Sequence, residues 1–242
     1  MDNTLKNRII TYFEEGKSLS RERLMKAILS DFPYWKESTI NVYLSKLKKR
    51  GIIKNPSRGV YSLENRETFH PKIDASLLKI YKKIQREYPY INFCVWNTKW
   101  LSDVMRHQPF KQYQIIEIEK DAAEQVFNKL NETIKNVFLN PNAEIFERYI
   151  YNVEDAVIIK LLVSEAPLDK VNKVTIPTLE KLLVDMLIDI DIFGAQQGEI
   201  EFIYNRAFSE YQLNINKMKR YALRRNRENK VEELINITLA QI

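Results

Sequence analysis

The sequence predicts an α+β protein with a small basic N-terminal unit of three helices and a hairpin (residues 1–64) and a short linker (65–74). A larger α/β domain (75–242) follows, with a mixed sheet and a C-terminal helical block. Three observations carry that expectation. Apolar residues recur at helical spacing three times before residue 50, and two short β-rich stretches around a turn come next. Helical and strand-like segments then alternate until Pro177, after which the pattern is helical throughout. Charge is also unevenly placed: the chain has a net +6, and residues 1–64 hold 13 Lys and Arg against 7 Asp and Glu, so the remainder is neutral overall.

The first helix is marked by Leu5, Ile9, Ile10 and Phe13 on one face and a stop at Gly16. Ser20 is placed to cap the second, with Leu19 and Leu24 as a hydrophobic staple and Leu24, Ile28 and Phe32 as its apolar face. Pro33 and Tyr34 close it. The third starts between Lys36 and Ser38, turns Ile40, Leu44 and Leu47 inward and stops at Gly51. Ile52-Ile53 and Val60 to Leu63 are β-type, and the Lys54 to Gly59 stretch between them has the Asn, Pro, Ser and Gly of a hairpin tip.

Beyond the linker, Asp74 is expected to cap a helix bearing Leu77, Leu78, Tyr81 and Ile84, and Ile91 to Trp96 has the content of a buried strand. Thr98 is placed to cap a helix over Lys99 to His107, and Tyr113 to Glu119 reads as a strand. Asp121 and Glu124 resemble a capping box ahead of Val126, Phe127, Leu130 and Ile134. Val137 to Leu139 and Ala156 to Val163 are strands, whereas Glu144 to Tyr151 fits either type. Leu179 to Ile190, Ile200 to Tyr211, Ile215 to Ala222 and Val231 to Leu239 carry helical apolar faces, the first of them following Pro177.

Three helices and a hairpin with a basic tip make the layout of a winged helix-turn-helix, in which the third helix is the reader. Its outer face presents Ser38, Asn41, Val42 and Ser45, a mixture of hydroxyls, an amide and a methyl-bearing chain suited to base edges in a major groove. Lys36, Lys46, Lys48, Lys49 and Arg50, with Arg58 on the hairpin tip, are the expected phosphate contacts on double-stranded DNA. A protein-interaction adaptor is the alternative use of the same fold.

The chain resembles the AbiE-type (AbiEi-like) abortive-infection antitoxins, the winged-helix transcriptional regulators of type IV toxin–antitoxin systems. The resemblance rests on Lys49-Arg50-Gly51-Ile52-Ile53, Arg58 to Leu63, the Phe93 to Trp100 segment and Pro177 to Asp185. It implies an N-terminal domain that binds the operator of its own operon and a C-terminal domain that counters a nucleotidyltransferase toxin.

Several classes are excluded by composition. Five Gly leave little material for a phosphate-cradling loop, and one Cys excludes an internal disulfide and a Cys-based zinc cluster. Lys160, Asp185, Asp189 and Asp191 interrupt the most apolar stretches, so a cytoplasmic protein without a membrane span, cofactor or metal is expected. An enzyme is not expected. The rival is a metal-dependent nuclease using Asp103, Glu117, Glu119 and Lys120, but the acidic position two before that lysine is Ile118. Lys181, Asp185 and Asp189 sit four apart and read as surface ion pairs on a helix. Lys217, Lys219, Arg220, Arg224, Arg225 and Arg227 form a second basic surface able to attract phosphate.

Overall fold

The computed structural model describes residues 5, 8, 9, 11–13, 18–49, 52–63, 67–108 and 111–241, and the fold is mixed α/β. Arg50, Gly16 and Gly51, on which parts of the sequence reading fall, lie outside the described residues. Among the described residues no helix is long and apolar enough to cross a membrane.

In the N-terminal part, Leu5, Ile9 and Phe13 are buried together with the inner faces of α1 (Arg21–Asp31) and α2 (Glu37–Lys49). Leu24, Ile28, Ile40, Leu44 and Leu47 are those faces, at the spacing that puts one residue per turn on one side. Ser20 caps α1, its Oγ accepting from the Arg23 amide at 3.3 Å. Leu19–Ser20 also form a two-residue strand, β1, which the sequence does not announce. It pairs with β3 (Val60–Leu63), which pairs in turn with β2 (Ile53–Lys54), giving an antiparallel sheet of order β1-β3-β2. Gly59 takes φ 76°, a value that favours glycine at this turn, and its carbonyl accepts from the Arg21 amide at 2.6 Å.

The following segment pairs early with the C-terminal helices. The Glu67 amide donates to the Glu210 carbonyl at 2.7 Å and the Gln212 amide to Glu67 at 2.8 Å. Next comes α3 (Ala75–Glu87), capped by Asp74, whose Oδ1 accepts from the Leu77 amide at 2.8 Å. The central sheet has order β4-β5-β7-β6, from β4 (Phe93–Asn97), β5 (Gln114–Ile118), β6 (Val137–Leu139) and β7 (Val157–Leu161). β4 is antiparallel to β5; β7 runs parallel to both its neighbours. Both faces are covered, so β4 and β5 read as almost continuous apolar runs. Val95, Ile116, Ile118, Val157 and Ile159 face α3 and α4 (Ala123–Asn131), whereas Trp96, Ile115 and Ile158 face the C-terminal helices.

The fold departs from the sequence expectation in three places and decides one stretch the sequence leaves open. Asn97, not Thr98, caps the 3₁₀ helix Thr98–Val104, because the Thr98 hydroxyl is taken by the Tyr113 amide at 2.9 Å. The Asp121/Glu124 capping box does not form: a 3₁₀ turn, Lys120–Ala122, leads into α4 without a side-chain cap. The ambiguous stretch is helical, as α5 (Ala143–Arg148). An unforeseen hairpin joins β8 (Leu168–Val171) to β9 (Val174–Pro177), with Asn172 and Lys173 both at positive φ, 49° and 69°, as a tight two-residue loop with inverted turn geometry requires. The C-terminal block comprises α6 (Leu179–Met186), α7 (Ile190–Phe193), α8 (Ile200–Glu210), α9 (Ile215–Arg224) and α10 (Glu228–Gln241).

Candidate functional site

The outer face of α2 is laid out by the burial of its inner one. With Ile40, Leu44 and Leu47 closed off, Ser38, Asn41, Ser45, Lys48 and Lys49 are exposed, and so is the apolar Val42, at 55%. Lys36 precedes the helix in solvent, and Arg58 is exposed beside Gly59. Aromatic stacking fixes the helix start: Trp35 lies between Phe32 and Tyr43, with ring centroids at 4.5 and 4.9 Å. The Lys46 ammonium sits 5.3 Å from the Tyr43 ring centre, which holds this cation beside the helix.

Arg21 was not singled out by the sequence, yet it joins the pieces of this face. Its backbone donates to Gly59 at the hairpin turn, and its guanidinium Nη2 donates to Asn41 Oδ1 at 3.0 Å. The Asn41 acceptor is thus engaged, on a residue that is itself exposed. The available signal was position: the first residue of a helix, directly after the cap, projects from the end where backbone N–H groups gather.

The second basic group is only partly a surface. Lys217, Arg220 and Arg227 form no ion pair among the described residues, but Lys219 pairs with Glu232 and Arg224 with Glu165. Arg225 turns inward: its side chain is 16% exposed, Nη2 lies 3.2 Å from Asp189 and Nε 3.6 Å from Asp185.

Arg225 thereby enters a buried network that the sequence reading placed on the surface. Cys94, Glu117 and Lys160 are cross-strand neighbours on β4, β5 and β7, so they form one row across the sheet. Lys181 of α6 descends onto that row, its Nζ 2.6 Å from Glu117 Oε1 and 2.6 Å from Asp185 Oδ2. Trp96 Nε1 donates to the same Glu117 oxygen at 2.8 Å, and the Tyr221 hydroxyl donates to Asp185 Oδ1 at 2.8 Å. Asp189 lies beyond the end of α6 rather than on it, and binds Lys160 as well as Arg225. Three carboxylates meet three cations, so burial leaves no net charge.

Protonation follows from this geometry. Burial opposes the Lys181 ammonium, but Asp185 and Glu117 outweigh it and hold its pKa well above that of an ordinary lysine. Burial likewise opposes the Asp185 carboxylate, and the charges of Lys181, Lys160 and Arg225 overcome it and hold the carboxyl below its usual value. Burial and then the Glu117 charge push the Cys94 thiol well up, which makes it a small inert core side chain.

Of the residues the nuclease reading names, Glu117 is bound to the Lys181 ammonium at 2.6 Å. Glu119 is drawn to Asn92 Nδ2 at 2.8 Å instead, and Asp103 and Lys120 are exposed. Among the described residues no three His, Cys, Asp or Glu side chains are grouped to hold a metal ion.

Residues 39–241 match a sequence family described as a family of unknown function, DUF6577. The chain belongs to this family. The match takes in the α2 face from Asn41 onward, the hairpin with Arg58 and every member of the buried network. No curated protein matches the chain.

Proposed function

We propose that this DUF6577 member is a sequence-specific DNA-binding transcriptional regulator. In this reading residues 1–64 are a winged helix-turn-helix, with α2 the recognition helix and β2–β3 the wing. The observation that carries the proposal is the composition of the single solvated face of α2. Ser38, Asn41, Val42 and Ser45 form a neutral centre flanked by Lys46, Lys48 and Lys49, all exposed except for the apolar face beneath them. Such a face puts short polar and methyl groups at base edges and cations at phosphates. Arg58 on the wing and Arg21 beside Asn41 extend the cationic rim across two further elements.

With the AbiE-type resemblance, the regulated DNA is the operator of the protein's own operon and the larger domain counters a nucleotidyltransferase toxin. Fluorescence anisotropy of the full chain on DNA from upstream of its own gene, beside shuffled DNA of equal length, tests the first part. The upstream DNA is expected to bind far more tightly, and Asn41→Ala to remove about 1–3 kcal/mol of that preference. Equal, weak binding to both DNAs refutes the reading. Co-expression with an adjacent nucleotidyltransferase tests the second part, with restored growth as the expected result.

A further inference from the structure

The N-terminal ends of the three parallel strands β5, β7 and β6 open into a cavity of about 700 Å³, roofed by α3. A cavity of this size suits a small ligand. Its polar lining is strongly uncommitted. Lys79, Lys83 and Lys135 stand around it, and none of the three is in an ion pair among the described residues. The Lys83 ammonium is held by neutral acceptors alone, the Lys129 carbonyl at 3.1 Å and the Thr133 hydroxyl. Glu154 and Asp155, just ahead of β7, also line it, outside any ion pair among the described residues. Gln114, the first residue of β5 on the other side of β7 from β6, lines it too, and its Oε1 is buried without a hydrogen-bond partner. A buried acceptor left unpaired is destabilising, and a ligand N–H recovers the lost bond. Ile80, Ile134 and Val157 give the cavity an apolar surface.

We propose that this cavity binds a nucleoside monophosphate. Each chemical part of that class meets a part of the lining. The phosphate dianion takes the lysines, where charge-assisted bonds are the strongest on offer. Exocyclic amine and ring N–H donors of the base answer the Gln114 Oε1 and the two carboxylates, which accept only. The flat ring covers the isoleucines and valine. Inorganic phosphate would satisfy the lysines alone, and an uncharged nucleoside the acceptors alone, so neither uses the whole site. The site stands apart from α2, and the proposal does not depend on DNA binding.

Isothermal titration of the full chain with adenosine and uridine monophosphates, the two nucleosides and inorganic phosphate tests it. One saturable site is expected for at least one monophosphate, with its nucleoside and inorganic phosphate at least roughly tenfold weaker. Lys79→Glu combined with Lys135→Glu replaces two exposed side chains and should lower affinity by roughly tenfold or more at an unchanged melting temperature. Gln114→Met keeps the volume and removes the acceptor, and should weaken the monophosphate while leaving inorganic phosphate as it was. No saturable monophosphate binding, binding unmoved by the double lysine variant, or inorganic phosphate binding as tightly as the nucleotide would each overturn the proposal.

Discussion

Lys181 has no exposed surface, and both carboxylates within its reach, Glu117 and Asp185, are themselves only 3% and 2% exposed. Such a group is held by the pairing and not by water, so its removal leaves two buried anions facing each other. Lys181→Met, which keeps the volume and deletes the charge, should cost about 3–5 kcal/mol at neutral pH, measured by urea denaturation. The pH dependence has a definite sign. Asp185 is held below its ordinary value, so the stability it contributes is present above the unfolded aspartate value of about 3.9 and is lost as pH falls through the lower folded value. In Lys181→Met the main cause of that depression is gone and protonation relieves the repulsion. The gap between variant and wild type should therefore narrow in acid. A gap that is constant from neutral pH to pH 4 would mean that lost packing, rather than charge, sets the cost. Lys181 also explains why its burial escapes the sequence: a Lys–Asp pair four apart looks the same on a surface helix. What sets it apart in the fold is that every residue of α6 is buried, so its polar strip of Glu180, Lys181 and Asp185 has no solvent to face.

At the scale of elements, the β8–β9 loop is the clearest place where backbone and sequence conflict. Lys173 holds φ 69° with an exposed side chain, a conformation costing an L-residue about 1–2 kcal/mol. Lys173→Gly should raise stability by about 0.5 kcal/mol, the relief being partly offset by the larger freedom of glycine in the unfolded chain. Lys173→Val should lower it, and thermal unfolding of the two variants separates the cases. The same conflict hides the hairpin in the sequence, since Asn-Lys carries none of the glycine signal of a tight turn and Asp169 and Lys170 make β8 polar. Elements with one clean apolar face were legible: α1, α2 and α3 carry it at helical spacing, and β4, β5 and β7 are apolar on both sides because helices cover both. The Thr98 cap failed for a tertiary reason, as the Tyr113 amide claims that hydroxyl and leaves Asn97 to serve.

Across the whole molecule, the distribution of charge matters more than its sum. The excess of cations lies in residues 1–64, and there Lys36, Lys46, Lys48, Lys49 and Arg58 are exposed and outside any ion pair among the described residues. Half of the C-terminal basic run, equally conspicuous in sequence, is spent within the fold: Lys219 on Glu232, Arg224 on Glu165, and Arg225 on Asp185 and Asp189. The carboxylates that neutralise the second cluster arrive from the loop after β7, from α6 and the turn beyond it, and from α10, so the pairing shows only in the fold. Free cations displace counterions from DNA and paired ones do not, so the two clusters should differ in salt dependence. Lys49→Ala should reduce the slope of log K against log salt by about 0.9, the share of one phosphate contact, on upstream and shuffled DNA alike. Lys219→Ala with Arg224→Ala, which removes cations of the second cluster already paired with Glu232 and Glu165, should leave the slope unchanged. If the double variant flattens the slope and Lys49→Ala does not, the phosphate-binding surface lies on α9 and the assignment of α2 as the reading helix fails.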